Sequence, residues 1–227
     1  PGSRPCEEGG SCGVPGLIAV AQSSRGSVDN IEGMTSGRFH SGFVQSDIAY
    51  AAYSGTGQFS GKAPITSLRA IAALYPEHIQ LVARKDAGIG SIADLAGKRV
   101  SLDERDSGSY VNAVQVLTAF GLGEAALDAR YMKAAPSPDA MISGGLGAFF
   151  LASGCPPPAP TEIASRVPVA LVPIKGAGAE ALRAKFQFYS RDAIPAGTYP
   201  GSGATDTLAV GAQWVTTAGA DEALIYQ

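Results

Sequence analysis

The sequence has 227 residues, 45% of them apolar and 16% charged, with a formal net charge of −3. A chain of this length can bury a sizeable core in one large domain or two lobes. Its 29 Gly and 15 Pro, 44 residues of 227, stay below the level of low-complexity disorder. No basic run exceeds two residues, so nucleic acid finds no electrostatic footprint. The longest apolar stretch without Gly or charge, Val167–Ile174, is far short of a bilayer span.

In chain order, Leu17–Ala21 predicts a short strand, Ser23–Ser27 a turn, and Val28–Ser36 a helix stopped by Gly37. Phe39–Val44 predicts a second strand that ends in Gln45-Ser46-Asp47, after which Ile48–Tyr53 has helical composition. Ile65–Leu74 and His78–Ala83 predict a strand and its neighbour. Ser91–Gly97 predicts a short capped helix leading into the strand Arg99–Leu102. Asp106–Ser109 opens the strongest helix, Tyr110–Phe120, whose Val111, Val114 and Leu117 form an apolar stripe closed by Gly121. Beyond it come a strand at Ala148–Leu151, a helix at Thr161–Arg166, a strand at Val169–Ile174, a helix at Ala179–Lys185 and a last strand at Thr207–Thr216. Strands alternating with helices at this spacing indicate an α/β fold with largely parallel sheets.

Catalytic motifs are poorly supported. Gly55–Lys62 has the wrong glycine spacing for a phosphate loop, and Ala63 stands where a hydroxyl would hold magnesium. There is no Gly-x-Ser-x-Gly elbow, only His40 and His78 are available as bases, and Asp103/Glu104 and Glu7/Glu8 are adjacent pairs that diverge on a strand or loop. With two His and no CxxC, no metal and no cofactor is expected. Cys6 and Cys12 are close enough in sequence to form a local disulfide, with Cys155 free. The one enzymatic alternative is a nucleotide-dependent activity built on the glycine-rich turn Gly176–Ala181, which follows a strand and opens a helix.

What remains is three strand-to-helix turns rich in Ser, Gly, Gln and Asp: Ser23–Ser27, Gln45–Asp47 and Ser107–Ser109. Such turns lie at the carboxyl ends of strands and leave unsatisfied N–H groups at helix starts, which suit an anion. Taken singly, each reads better as an ordinary helix cap; three in one chain without a catalytic apparatus point to a binding cleft.

The segments Gly26–Phe59, Leu68–Arg84, Ser91–Leu102 with Ser107–Ser109, and Ile194–Gly201 resemble the TAXI-type solute receptors of TRAP transporters. Val-Gln-Ser-Asp followed later by Gly-Thr-Tyr-Pro-Gly is the specific part of that pattern. The resemblance implies a two-lobed type II periplasmic binding fold joined by two crossover strands. Lobe 1 would comprise residues 1–83 and 195–227, and lobe 2 residues 84–194. It implies a non-enzymatic, extracytoplasmic receptor, a monomer, that closes on a small carboxylate, an amino acid or a dicarboxylate, and delivers it to a membrane permease. The implied ligand residues are Ser23, Ser24, Gly26, Ser27, Gln45, Ser46, Asp47, Tyr50, Tyr53, Ser107, Gly108, Ser109, Thr198 and Tyr199. Relatives of this type begin with a strand and a glycine-rich loop before this segment and continue past its end. The start at Pro1-Gly2-Ser3 accordingly reads as that of a mature or trimmed piece.

Overall fold

The computed structural model describes residues 19–133 and 137–226. Its first half contains α1 (Ser27–Thr35), β1 (Ser41–Gln45), α2 (Ser46–Ser54), β2 (Leu68–Arg84), β3 (Arg99–Ser101) and α3 (Gly108–Ala119). The second half adds β4 (Asp128–Arg130), α4 (Ser137–Ile142), β5 (Ala148–Ser153), α5 (Pro158–Arg166), β6 (Val169–Leu171), α6 (Ala177–Lys185), β7 (Ser190–Ile194), β8 (Thr205–Thr217) and α7 (Glu222–Tyr226). The strands form one sheet in the order β1-β8-β2-β5-β3-β4, with β6 also on β2 and β7 on β8.

Two long strands organise the sheet. β2 carries Leu68 into a core with Val28, Ile31, Val44, Ile48 and Val215, and carries Ile79, Leu81 and Ala83 into a second core with Val100, Val116, Leu117 and Phe150. β8 does the same in the opposite direction, with Leu208 and Val210 in one core and Val215 in the other. The helices bury their apolar stripes against this two-strand spine: α1 and α2 against the first core, α6 against the second, and α3 against both, with Val111 in the first and Ala113, Val116 and Leu117 in the second. A third cluster, centred on Met141, Phe149 and Ile163, lies on the opposite face of β5 from Phe150.

The α/β class agrees with the sequence, but the strand directions do not follow the parallel pattern. The ladders of β2 with β5, β6 and β8, and of β8 with β1 and β7, are antiparallel, and only β3 pairs in parallel, with β4 and β5. β2 and β8 run antiparallel to each other, and each strand hydrogen-bonded to either of them runs against it. Ile65–Leu74 and His78–Ala83 are likewise one strand of 17 residues. Its ladder with β8 is irregular between Ala70 and Ala72 and again between Ala73 and Pro76. A proline at an irregularity breaks the sequence signal without ending the strand.

Of the strand expected at Leu17–Ala21, residues 19–21 are described and join no ladder, and the Cys6–Cys12 pair lies outside the described residues. β1 is the terminal strand of the sheet, and α1 satisfies two of its backbone groups: Asn30 Nδ2 donates to Phe43 O at 2.7 Å, and Gln45 N donates to Ser27 Oγ at 3.1 Å. Among the described residues no helix is long and apolar enough to cross a membrane.

Candidate functional site

The starts of α1 and α3 meet. Gly26 precedes α1 with φ 123°, a conformation open to glycine, and a Cβ added there would stand 3.0 Å from Ser107 Cα. No side chain caps α1, so the N–H groups of its first turn have no intrahelical partner. Ser27, which could have capped it, instead turns its hydroxyl sideways to Gln45 N. α3 is capped by Ser107, whose Oγ accepts from Tyr110 N at 3.0 Å, which leaves the N–H groups of Gly108 and Ser109 without an intrahelical partner. A Cβ at Gly108 would lie 1.5 Å from Gln45 Oε1, so the side chain at this position must be absent for β1 and α3 to approach.

Between these helix starts lies a cleft of about 260 Å³. Its floor is polar. Ser109 Oγ accepts from Ala152 N at 3.0 Å, and Gln45 Nε2 donates to Glu77 Oε2 at 2.9 Å and to Asn112 Oδ1 at 3.2 Å. Behind Gln45, Asn112 Nδ2 donates to Asp47 Oδ2 at 2.7 Å and to the Tyr189 hydroxyl at 3.0 Å. Burial pushes the Asp47 carboxyl up to about 7, against hydrogen bonds from Asn112 and the Ile48 N–H, and its Oδ1 has no partner. Burial also raises Glu77 and Asp103 above the ordinary carboxylate range, the former against its bond from Gln45 and the latter against the Glu104 N–H. Asp103 additionally adopts φ 71°, a left-handed conformation uncommon for a residue with a side chain.

The mouth is spanned by charge. Arg25 Nη1 pairs with Asp106 Oδ2 at 2.5 Å, and Lys133 Nζ reaches Ser24 O at 3.4 Å and Glu104 Oε2 at 3.5 Å. Arg25 also donates its N–H to Asp29, whose carboxylate bonds Arg38. Burial alone would raise Asp29, but those donors outweigh it and hold it below the usual range. Among the described residues Arg25 is the only cation lining the cleft, beside the acids Glu77 and Asp103.

Six of the residues implied by the sequence come together as lining: Gly26, Ser27, Gln45, Ser107, Gly108 and Ser109. The others do not line it. Ser23 is exposed, and Ser24 Oγ accepts from Gly26 N at 3.2 Å, shaping the turn. Ser46 Oγ accepts from Gly211 N at 3.1 Å and ties α2 to β8. Asp47 sits one residue behind the wall. Tyr50 and Tyr53 are exposed on α2, Tyr50 with its ring 6.0 Å from that of Phe188. Thr198 bonds Pro195 O within its own turn, and Tyr199 is fully buried with its hydroxyl on Gln80 Oε1. The Gly-Thr-Tyr-Pro-Gly segment is therefore anchored to β2 through Gln80. Tyr199→Phe strands that amide oxygen and should lower stability by about 1–3 kcal/mol in urea unfolding, with solute affinity unchanged.

Sequence reasoning missed Arg25, Asn30, Phe43, Glu77, Asp103, Leu151 and Ala152, which also line the cleft. The available signals were a carboxylate inside the apolar strand β2 (Glu77) and the charged Asp103–Asp106 run after β3. The glycine-rich turn at Gly176–Ala181 has a packing reason. A Cβ at Gly178 would meet the Phe120 ring at 2.7 Å, so this glycine lets α6 approach the end of α3. Cys155 is half-buried, and burial raises its thiol.

Among solved structures, the chain is similar to the periplasmic aliphatic sulphonate binding protein SsuA from Escherichia coli, with a TM-score of 0.51 and 14% identity over 86% of this chain and 53% of that one. It is also similar to XAC2383 from Xanthomonas citri bound to chloride ion, with a TM-score of 0.51 and 12% identity over 86% of this chain and 63% of that one. The chain thus spans about half to two thirds of the length of these proteins, and what it shares with them is the mixed α/β fold, a multi-stranded sheet flanked by helices. Residues 15–227 match the profile of the NMT1-like family, and the chain belongs to that family.

Proposed function

We propose that this chain is the binding part of an extracytoplasmic solute receptor. It captures a small carboxylate between two lobes, with α1 and α2 on one side and α3 on the other, and presents it to a membrane permease. The lobe boundaries follow the division at residues 83/84 and 194/195 read from the sequence, and the permease partner is the ion-driven TRAP type that the TAXI resemblance implies. One observation carries the reading: the starts of α1 and α3, of which α3 continues into the second core, face one cleft with N–H groups that have no intrahelical partner. Each helix start carries roughly half a positive charge, and hydrogen bonds to a charged group contribute about 1.5–3 kcal/mol each. Three or four such bonds are of the size that a micromolar complex, about −8 kcal/mol, requires after desolvation.

The cleft favours an amino acid over a dicarboxylate. The one cation among its described lining residues, Arg25, is already paired with Asp106, whereas Glu77 and Asp103 offer acceptors to an ammonium group and would repel a second carboxylate. The glycine-rich turn at Gly176 is not favoured as a nucleotide site, because Gly178 is filled against Phe120.

A thermal-shift screen of amino acids, dicarboxylates, alkyl sulphonates and nucleotides tests this. An amino acid at 100 times its Kd should stabilise by about 2.7 kcal/mol. Stabilisation by nucleotides alone would sink the receptor reading. Arg25→Ala should weaken the best carboxylate by about 3- to 10-fold in calorimetry, a modest loss because the guanidinium is half exposed. A neutral amide analogue of that solute should lose nothing further in the variant.

A further inference from the structure

We propose that Asn112 is a latch that sets how firmly the two sides of the cleft are held together without itself touching solute. The inference rests on the two-lobed reading above. Asn112 is fully buried and does not line the cleft. Its side chain nevertheless joins both cores. Oδ1 accepts from Gln45 on β1, and Nδ2 donates to Asp47 on α2, beside the Ile48 and Ala51 core. The same Nδ2 donates to Tyr189 of the other core, and the Tyr189 hydroxyl donates on to Gln115 Oε1 at 2.6 Å.

The other links across the mouth, Arg25–Asp106 and Lys133–Ser24, are exposed and therefore screened by salt. Two links exclude water: Val111 of α3, which packs into the first core, and the Asn112 amide, which is the polar one. Apolar contact is non-directional, whereas a buried polar network of this kind is costly to break on one side only.

The groups facing the latch are two carboxylates and a phenol: Asp47 from α2, Glu77 from β2 through Gln45, and Tyr189 from the segment before β7. Among the described residues no cation bonds to any of them. Burial raises both carboxylates and holds the Tyr189 hydroxyl well above its ordinary value. Opening the cleft would return Asp47 and Glu77 to water and to ordinary acidity. The closed form therefore binds protons more tightly, and low pH favours closure. Asp47→Asn preserves an acceptor for Asn112 while removing the charge.

The test is hydrogen exchange and small-angle scattering on the unliganded protein at pH 5.5 and pH 8.5. The wild-type chain should be more compact at the lower pH. After correction for intrinsic exchange rates, its amides at 27–30 and 107–112 should be better protected there. Asn112→Ala should expand the molecule at both pH values and speed exchange of those amides about tenfold, while far-ultraviolet circular dichroism stays native. Asp47→Asn should stay compact at both pH values. If Asn112→Ala fails to fold, the Asp47→Asn profile alone decides: a pH response equal to wild type overturns the latch. A folded Asn112→Ala with unchanged scattering and exchange overturns it as well. Solute binding in the screen with an inert Asn112 would fail the latch alone; a working latch without solute binding would fail the receptor reading alone.

Discussion

Gly108→Val should weaken solute capture by about 100-fold while leaving the chain folded. A Cβ at this position would fall 1.5 Å from Gln45 Oε1, 2.5 Å from Gln45 Cδ and 3.2 Å from Ser27 Oγ. Gln45 cannot swing away cheaply, because its amide is bonded to Glu77 and Asn112 and its backbone N–H to Ser27. The start of α3 must therefore retreat from β1 and α1. Overpacking of this kind costs about 1–3 kcal/mol of stability. Binding suffers more, because the two sets of N–H groups no longer converge on one anion, and a loss of about 100-fold is expected where an ångström of misplacement separates converging groups. Calorimetry with the carboxylate that gives the largest thermal shift checks the affinity, and circular dichroism checks the fold. A folded Gly108→Val protein with wild-type affinity would remove the cleft from consideration.

Asp47→Asn should reshape the dependence of stability on pH. The carboxyl sits near 7 in the folded protein against an ordinary value of 3.8. A group whose folded value is raised contributes stability that is fully present below the unfolded value and is lost as pH rises through the folded one. Between about pH 4 and pH 7 the wild-type chain should therefore lose up to about 4 kcal/mol from this group. Glu77 and Asp103 shift in the same direction and add to the slope, whereas Asp29, held low by Arg25 and Arg38, contributes stability that is lost as pH falls through its own lowered value. Asn at position 47 keeps the volume and the acceptor for Asn112. Urea unfolding at pH 5, 6, 7 and 8 should show the variant gaining on wild type as pH rises, with a much flatter profile. Parallel profiles for the two proteins would show that Asp47 is not the buried titrating group.

The parts of this architecture that were legible in the sequence are those written in local chemistry. The strand-to-helix turns at Ser23–Ser27, Gln45–Asp47 and Ser107–Ser109 carry cap residues before apolar runs, and each does start or adjoin a helix. What local chemistry does not encode is which turns meet. Ser107 and Gly26 are in contact because β2 and β8 bring two cores side by side, a relation set by strand direction and by an irregular ladder around Pro76. The same long-range geometry hid Glu77, which looks like a polar interruption in the sequence and proves to be the acceptor for Gln45. It also explains Tyr199. Gly-Thr-Tyr-Pro-Gly has the composition of a ligand turn, yet its tyrosine is inserted into the core beside Gln80, away from the cleft. Strands β4 and β7 and helix α4 escaped notice because they are short and carry charge or proline where apolar periodicity would be expected.

Amide chemical shifts give the most direct reading of the site. In a titration of the labelled chain with an amino acid that raises its melting temperature, the amides of Ser27, Val28, Gly108 and Ser109 should move together along one saturation curve, since one carboxylate would lie against both helix starts. Saturable shifts confined to the turn at Gly176–Gly178, or confined to one of the two helix starts, would contradict a solute held between them.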